Sequence, residues 1–340
     1  MGVFDHLGLC GQGFPSARRP EDPSVETNRS TESKRRPGVL GIHSLDHFAM
    51  GVPDLSQARL FYEAFGLEGR EERDSLGLYT YGHPHRWATL TEAPQKRLQY
   101  VSFGAFADDM PRFRERLSQL RIETVKAPPG IERDGLWFHD RSGTLLEIQI
   151  AEKSSPDYQT LARSQVTPAG CRGVAGRVAA RETRPERLAH LLIFSRDVLQ
   201  EIRFYCNVLG LRLSDRAGDG IAFLHGVHGS DHHLLAFGKA DRPGLHHCSW
   251  DVATLDEVGV GAMQMQAKGY KAGWGVGRHV LGSNHFYYVQ DPWKSYCEYS
   301  YGIDYVPAQN DWDASNHPPE DAFYLWGPEP PSDFALNHEQ

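Results

Sequence analysis

Residues 45–67 read LDHFAMGVPDLSQARLFYEAFGL, and residues 188–211 read LAHLLIFSRDVLQEIRFYCNVLGL. Each runs from an apolar strand through an Asp into an amphipathic helix that carries Phe-Tyr and closes on Gly-Leu. His47 aligns with His190, Asp54 with Asp197, and Phe61-Tyr62 with Phe204-Tyr205. The likeness continues outward. QYVSFGAF (99–106) matches HHCSWDVA (246–253), and FHDRSGTLLEIQI (138–150) matches VQDPWKSYCEYSY (289–301), which sets Asp140 against Asp291 and Glu147 against Glu298. A repeat of this length means two tandem modules.

In the second module, alternation marks strands at HLLIF, GIAFLH, HHLLAF and HHCSWDV. A helix near LDEVGVGAMQMQAKGY follows, then strands at HFYYV and YCEYSY. Side chains alternate faces along a strand, so His247, Ser249 and Asp251 share one face, as do Tyr288 with Gln290 and Tyr296 with Glu298. The same rule turns His232 and His246 away from His233 and His247. Each module divides into two strand-rich halves with one helix apiece. The expected fold class is α+β: paired βαβββ units, each pair closing a funnel-like mixed sheet around a cavity.

Residues 1–40 form an arm whose Pro, Ser and charged composition buries no core of its own. Residues 41–152 are the first module, 153–185 a linker and 186–305 the second module. Residues 306–340, rich in Pro and aromatics, read as a flap packed on the body. The net charge of -8 is spread along the chain and argues against nucleic acid, which needs clustered Lys and Arg. Five scattered cysteines without a CxxC pair indicate neither a disulfide framework nor a structural zinc site, and point to a reducing cytoplasm. No apolar run is long enough to span a membrane. Of the 17 histidines, many sit in the C-terminal half at the ends of apolar runs.

The segments HLLIF, GLHHCSWDV, GRHVLGSNHFYYV and DPWKSYCEYSYG resemble the C-terminal half of type I extradiol catechol dioxygenases, of the vicinal oxygen chelate superfamily. The resemblance spans roughly residues 40–305 and is strongest from 186 onward. It implies one Fe(II), or Mn(II), held by two His and one Glu on different strands, which here are His190, His247 and Glu298. It also implies a His on the strand before the second ligand and a His and a Tyr ahead of the Glu; these are His233, His279 and Tyr288. Two imidazoles and a carboxylate on one face of a metal leave adjacent positions open for a catecholate and dioxygen, and this ligand set suits Fe(II) or Mn(II) better than structural zinc. The ring would open beside, not between, its two hydroxyls. His233 takes the acid–base role beside the oxygen position. His279 and Tyr288 hydrogen-bond the catechol oxygens.

Taken singly, each of these residues has a blander reading: a core His, a solvated strand Glu, a core Tyr. The case rests on their falling together on one template. His83 and His85 read as loop residues, and Cys248 and Cys297 as strand residues turned from the metal. In the first module the ligand positions are His47, Tyr100 and Glu147, and Tyr100 breaks the set, so that module is expected to be metal-free. Two other functions compete: a non-redox, glyoxalase-like metalloenzyme and a non-catalytic module that binds an aromatic ligand. Catechols of the 2,3-dihydroxybiphenyl, alkyl and carboxylated types (dihydroxy-p-cumate, homoprotocatechuate) remain open as substrates, and homo-oligomerisation is expected.

Overall fold

The computed structural model describes residues 34–131, 134–159, 167–174, 176–177 and 180–339. Most of the expected N-terminal arm therefore lies outside the described residues. The first sheet is built from β1 (Ser44–Val52), β2 (Glu68–Glu72), β3 (Ser75–Tyr79), β4 (Arg86–Glu92), β5 (Arg97–Ala105), β6 (Thr124–Val125), β7 (Gly135–His139) and β8 (Leu145–Ile150), in the order β2-β3-β4-β1-β5-β8-β7-β6. Helices α1 (Leu55–Phe65) and α2 (Met110–Gln119) accompany it.

The second sheet takes β9 (Arg187–Ser195), β10 (Arg212–Ala217), β11 (Ile221–His225), β13 (Leu235–Lys239), β14 (Gly244–Asp251), β15 (Gly273–Arg278), β16 (His285–Gln290), β17 (Tyr296–Tyr301) and β19 (Ser315–His317). Their order is β15-β16-β17-β14-β9-β13-β11-β10-β19. Short strands β12 (Ser230–Asp231) and β18 (Tyr305–Val306) pair with each other. Helices α3 (Val198–Leu209) and α4 (Leu255–Ala267) complete this half. Among the described residues, no helix is long and apolar enough to cross a membrane.

The repeated letters have physical causes. Asp54 and Asp197 are the N-caps of α1 and α3, each accepting from the backbone N–H three residues on, that of Gln57 and Gln200. Gly66 and Gly210 end those helices in the left-handed region, at φ 99° and 74°. A Cβ at Gly210 would lie 2.3 Å from the Leu40 carbonyl oxygen, so only glycine fits there. The buried Tyr205 hydroxyl donates to Asp140 Oδ2 at 2.9 Å, and Phe65 stacks on Tyr299 with ring centroids 3.9 Å apart. The aromatic anchor of one half thus plugs into the other.

Strand pairing repeats as well. In the first sheet β1 lies between β4 (parallel) and β5 (antiparallel), and β5 pairs with β8 in parallel. In the second, β9 lies between β13 (parallel) and β14 (antiparallel), and β14 pairs with β17 in parallel. This mixed topology of two sheets with few helices is the α+β arrangement expected from the sequence. The C-terminal segment also joins the second sheet, since β19 pairs in parallel with β10 at its edge.

One strand start differs from expectation. The run HHLLAF begins as strand only at Leu235, and His232-His233 lie in the coil ahead of β13. The His232 amide donates to the Asp304 carbonyl at 2.6 Å, and its carbonyl accepts from the Ser214 hydroxyl. With its backbone groups tied elsewhere, His232 is not part of the ladder, and strand alternation does not govern the pair.

Candidate metal centre

Register places the chemistry in one row. Ser249 on β14 faces His190 on β9 and Glu298 on β17, and Glu298 faces Tyr288 on β16. Directly opposed residues share a face, so His190, Glu298 and Tyr288 project together. His247, two residues before Ser249, shares that face. His190 Nε2 lies 3.2 Å from His247 Nε2 and 3.2 Å from Glu298 Oε2, and His247 Nε2 lies 3.6 Å from the same oxygen. These three residues are the one His/Cys/Asp/Glu group of metal-holding geometry among the described residues.

Two observations test whether they fit a cation. Glu298 Oε2 is fully buried without a hydrogen-bond partner, while Oε1 accepts from Asn284 Nδ2 at 3.1 Å. A buried, unpaired carboxylate oxygen is costly unless something positive meets it. The facing Nε2 atoms are spaced as donors sharing one ion, given metal–ligand bonds of about 2.0–2.2 Å. Burial opposes ionisation of Glu298, but His190 and His279 outweigh it and hold the carboxyl well below its usual range. Burial also keeps His247 well below the usual imidazole range, hence neutral with a lone pair to give.

The tautomer of His247 follows from its neighbour. His246 Nε2 lies 2.6 Å from the carbonyl oxygen of Phe334, which only accepts, so Nε2 carries the proton and His246 Nδ1 is bare. His247 Nδ1, 2.7 Å away, must then donate to it, which frees His247 Nε2 for a cation. The tail residue Phe334 thus reaches the candidate ligand through one imidazole. His246 also borders the cavity beside His247 instead of facing away from it. The backbone is irregular here, with register shifts against β9 at Leu245/His247 and Ser249/Trp250.

His233, His279 and Tyr288 surround the same point. The His233 ring centroid lies 4.0 Å from that of His190. His279 Nδ1 donates to the Phe323 carbonyl, so its Nε2 accepts from the Tyr288 hydroxyl at 3.0 Å. Burial, then the charge of Glu298, pushes the Tyr288 phenol well above its usual value and keeps it a hydroxyl. All three line a cavity of about 430 Å³ whose other walls include Leu192, Phe194, Phe223, Leu281, Trp274 and Phe334. Asn284 and the tail carbonyls at Phe323 and Phe334 were not foreseen from the sequence. An Asn in a GSNH turn has no periodicity, and backbone carbonyls carry no side-chain signature.

In the first module, His47 Nδ1 lies 2.6 Å from Asp46 Oδ2 and its Nε2 lies 3.3 Å from the Tyr100 hydroxyl. Glu147 Oε2 accepts from Ser102 at 2.6 Å. These positions are engaged with neighbouring side chains. Cys248 and Cys297 pair across β14 and β17 with their sulfurs 3.4 Å apart, next to candidate ligands. His85 Nε2 bonds the Asp46 backbone oxygen at 2.8 Å, outside the cavity.

Comparison with known proteins places this fold. Residues 187–299 match the model of the Glyoxalase/Bleomycin resistance protein/Dioxygenase superfamily. The chain belongs to the extradiol catechol dioxygenases of the vicinal oxygen chelate superfamily. It is 43% identical over 320 residues to metapyrocatechase 2 of Cupriavidus necator, covering 93% of this chain and 100% of that protein. It is 30% identical to biphenyl-2,3-diol 1,2-dioxygenase of Metapseudomonas furukawaii, covering 88% and 99%. Its fold superposes on an extradiol ring-cleaving dioxygenase from B. fuscum with a TM-score of 0.70 at 20% identity, covering 88% of this chain and 83% of that one.

Proposed function

We propose that this chain cleaves the ring of an apolar-substituted catechol beside its two hydroxyls, using dioxygen at one Fe(II) or Mn(II) held by His190, His247 and Glu298. One observation carries the reading. Two imidazole Nε2 atoms and a buried Glu298 oxygen without a hydrogen-bond partner converge beside a ring-sized cavity that both imidazoles line. A divalent iron or manganese ion bound there supplies an acidified catechol hydroxyl and an electron path to dioxygen.

The chain's own residues do the rest. On substrate binding the Tyr288 hydroxyl and the His279 imidazole, now paired at 3.0 Å, exchange that bond for bonds to one catechol oxygen and set which hydroxyl keeps its proton. His233, held neutral by burial and then by the surrounding imidazoles, accepts or returns a proton on the opposite side. Phe323 and Phe334 of the tail line the cavity and add to its apolar wall. We assign the first module, where Tyr100 stands in place of a second His with its hydroxyl 3.3 Å from His47 Nε2, a structural and metal-free role. The chain acts in the cytoplasm as a homo-oligomer.

The wall chemistry favours an apolar substituent. Among the described residues, Lys239 is the only Lys or Arg lining the cavity, and it is already bound to Asp219. A carboxylate on the ring would be buried without a partner, at a cost of several kcal/mol. A panel of catechols tests this: bare, alkyl-, aryl- and carboxymethyl-substituted, followed by product absorbance. Alkyl or aryl catechols should give the highest kcat/KM, and preference for the carboxylated ring would refute the assignment.

A further inference from the structure

His233 does not stand alone. Its Nδ1 lies 3.0 Å from Nδ1 of His232, and Nε2 of His232 lies 2.9 Å from Asp215 Oδ2. Asp215 sits on β10, at the sheet edge where β19 of the tail pairs. Its other oxygen, Oδ1, accepts from the Ser315 amide at 2.8 Å and lies 3.2 Å from His317 Nε2. Gly282 shapes the space, since a Cβ there would lie 3.3 Å from His233 Cε1 and 3.4 Å from His232 Nδ1. Neither His232 nor Asp215 lines the cavity.

Hydrogen-bond logic orders this chain of groups. Burial opposes the charge on Asp215, but its bonds to His232 and the Ser315 amide outweigh it and hold the carboxyl below its usual value. An ionised carboxylate only accepts, so His232 Nε2 carries a proton, and in the neutral ring His232 Nδ1 is bare. His233 Nδ1 must therefore donate, which leaves His233 Nε2 with its lone pair toward the cavity. The same sequence of donors recurs at His246-His247, with the Phe334 carbonyl in place of the carboxylate.

Resting on the acid–base reading of His233 given above, we infer that Asp215 and His232 are positioning residues that fix its tautomer and ring orientation, so that it meets the substrate first as a proton acceptor. The tail shares in this, because the Ser315 amide holds one Asp215 oxygen and so dictates which oxygen serves His232. Ring cleavage is thereby tied to the docking of residues 315–317 at the edge of the sheet.

Isosteric variants test it. In Asp215→Asn the Ser315 amide keeps the Oδ1 position as acceptor and turns the amide NH₂ toward His232, which inverts every donor down to His233. His232→Phe deletes the acceptor for His233 Nδ1, whereas His232→Asn places a carbonyl oxygen where Nδ1 was. Each variant is read for metal content, anaerobic catechol affinity and kcat, beside His233→Ala. Asp215→Asn and His232→Phe should retain metal and bind catechol yet turn over roughly 10- to 10³-fold more slowly. His232→Asn should recover most of the rate. If His233→Ala is slow while Asp215→Asn and His232→Phe match the parent, the positioning role is overturned. If His233→Ala itself is unimpaired, it is the acid–base reading of His233 that fails. Should Asp215→Asn not fold, the rate ratio of His232→Asn to His232→Phe decides: about ten or more supports the inference, and a ratio near one overturns it.

Discussion

Replacing His246 by Phe should weaken the metal without disturbing the fold. The ring sits among Phe194, Tyr296 and Phe334, with centroids 5.3, 5.5 and 4.8 Å away, so a phenyl group finds apolar company. What disappears is the acceptor 2.7 Å from His247 Nδ1. A buried donor left unpaired costs about 1–3 kcal/mol. At about 1.4 kcal/mol per decade, metal affinity should fall between about fivefold and a hundredfold, as partner losses behind metal-bound histidines generally do. Alternatively the proton moves to Nε2, removing that lone pair from the metal and weakening it further. Anaerobic titration of metal-free protein with Fe(II) or Mn(II) reads the change directly. His246→Asn, which restores an oxygen at the Nδ1 position, should bind metal close to the parent level. A folded His246→Phe variant with parental metal affinity would refute the claim that His246 sets the tautomer of a ligand.

Other outcomes follow from the same geometry. His190→Ala, His247→Ala and Glu298→Ala should each lose metal and activity while keeping the fold, and the parent should carry about one metal per chain; a metal-loaded, active Glu298→Ala variant would remove that residue from the ligand set. His233→Ala should keep its metal and bind catechol but cleave it about 10²–10⁴-fold more slowly, as single-turnover spectra after oxygen mixing would show. Metal-free protein should lose stability in mild acid. His43, His225 and His246 are pushed by burial to about 4 when folded. On unfolding, each takes up a proton once the pH falls below the ordinary imidazole value of about 6.5, costing up to about 3 kcal/mol apiece by pH 4. Urea midpoints should fall between those limits and stay level above them; a flat profile would contradict burial of these rings in neutral form.

Much of the architecture was legible because the repeat encodes it twice. Asp54 and Asp197 cap, Gly66 and Gly210 terminate, and Tyr62 and Tyr205 are buried, each for local reasons that leave letters in the sequence. Alternation put Tyr288 with Gln290 and Tyr296 with Glu298, and the register of the ladder then sets Tyr288 opposite Glu298. It misled at His232-His233, because Asp304 and Ser214 take the backbone groups a strand would have used. It was silent on the tail as well. Phe334 meets His246 across 88 residues of chain, and Ser315 meets Asp215 across 100. Such contacts depend on where the chain returns in space, which local periodicity does not encode. His233 lines the cavity and His232 does not, so the expected difference in facing holds although the strand it was argued from does not reach the pair.

Oxygen uptake by the metal-loaded chain tests the account most directly. With an alkyl or aryl catechol as limiting reagent, one O₂ should be consumed per catechol, and both oxygen atoms should enter a single ring-opened product. Uptake and product should vanish together in Glu298→Ala. A catechol that binds tightly to the metal-loaded protein and is released intact, with no oxygen consumed, would contradict the account and leave an aromatic-binding module in its place.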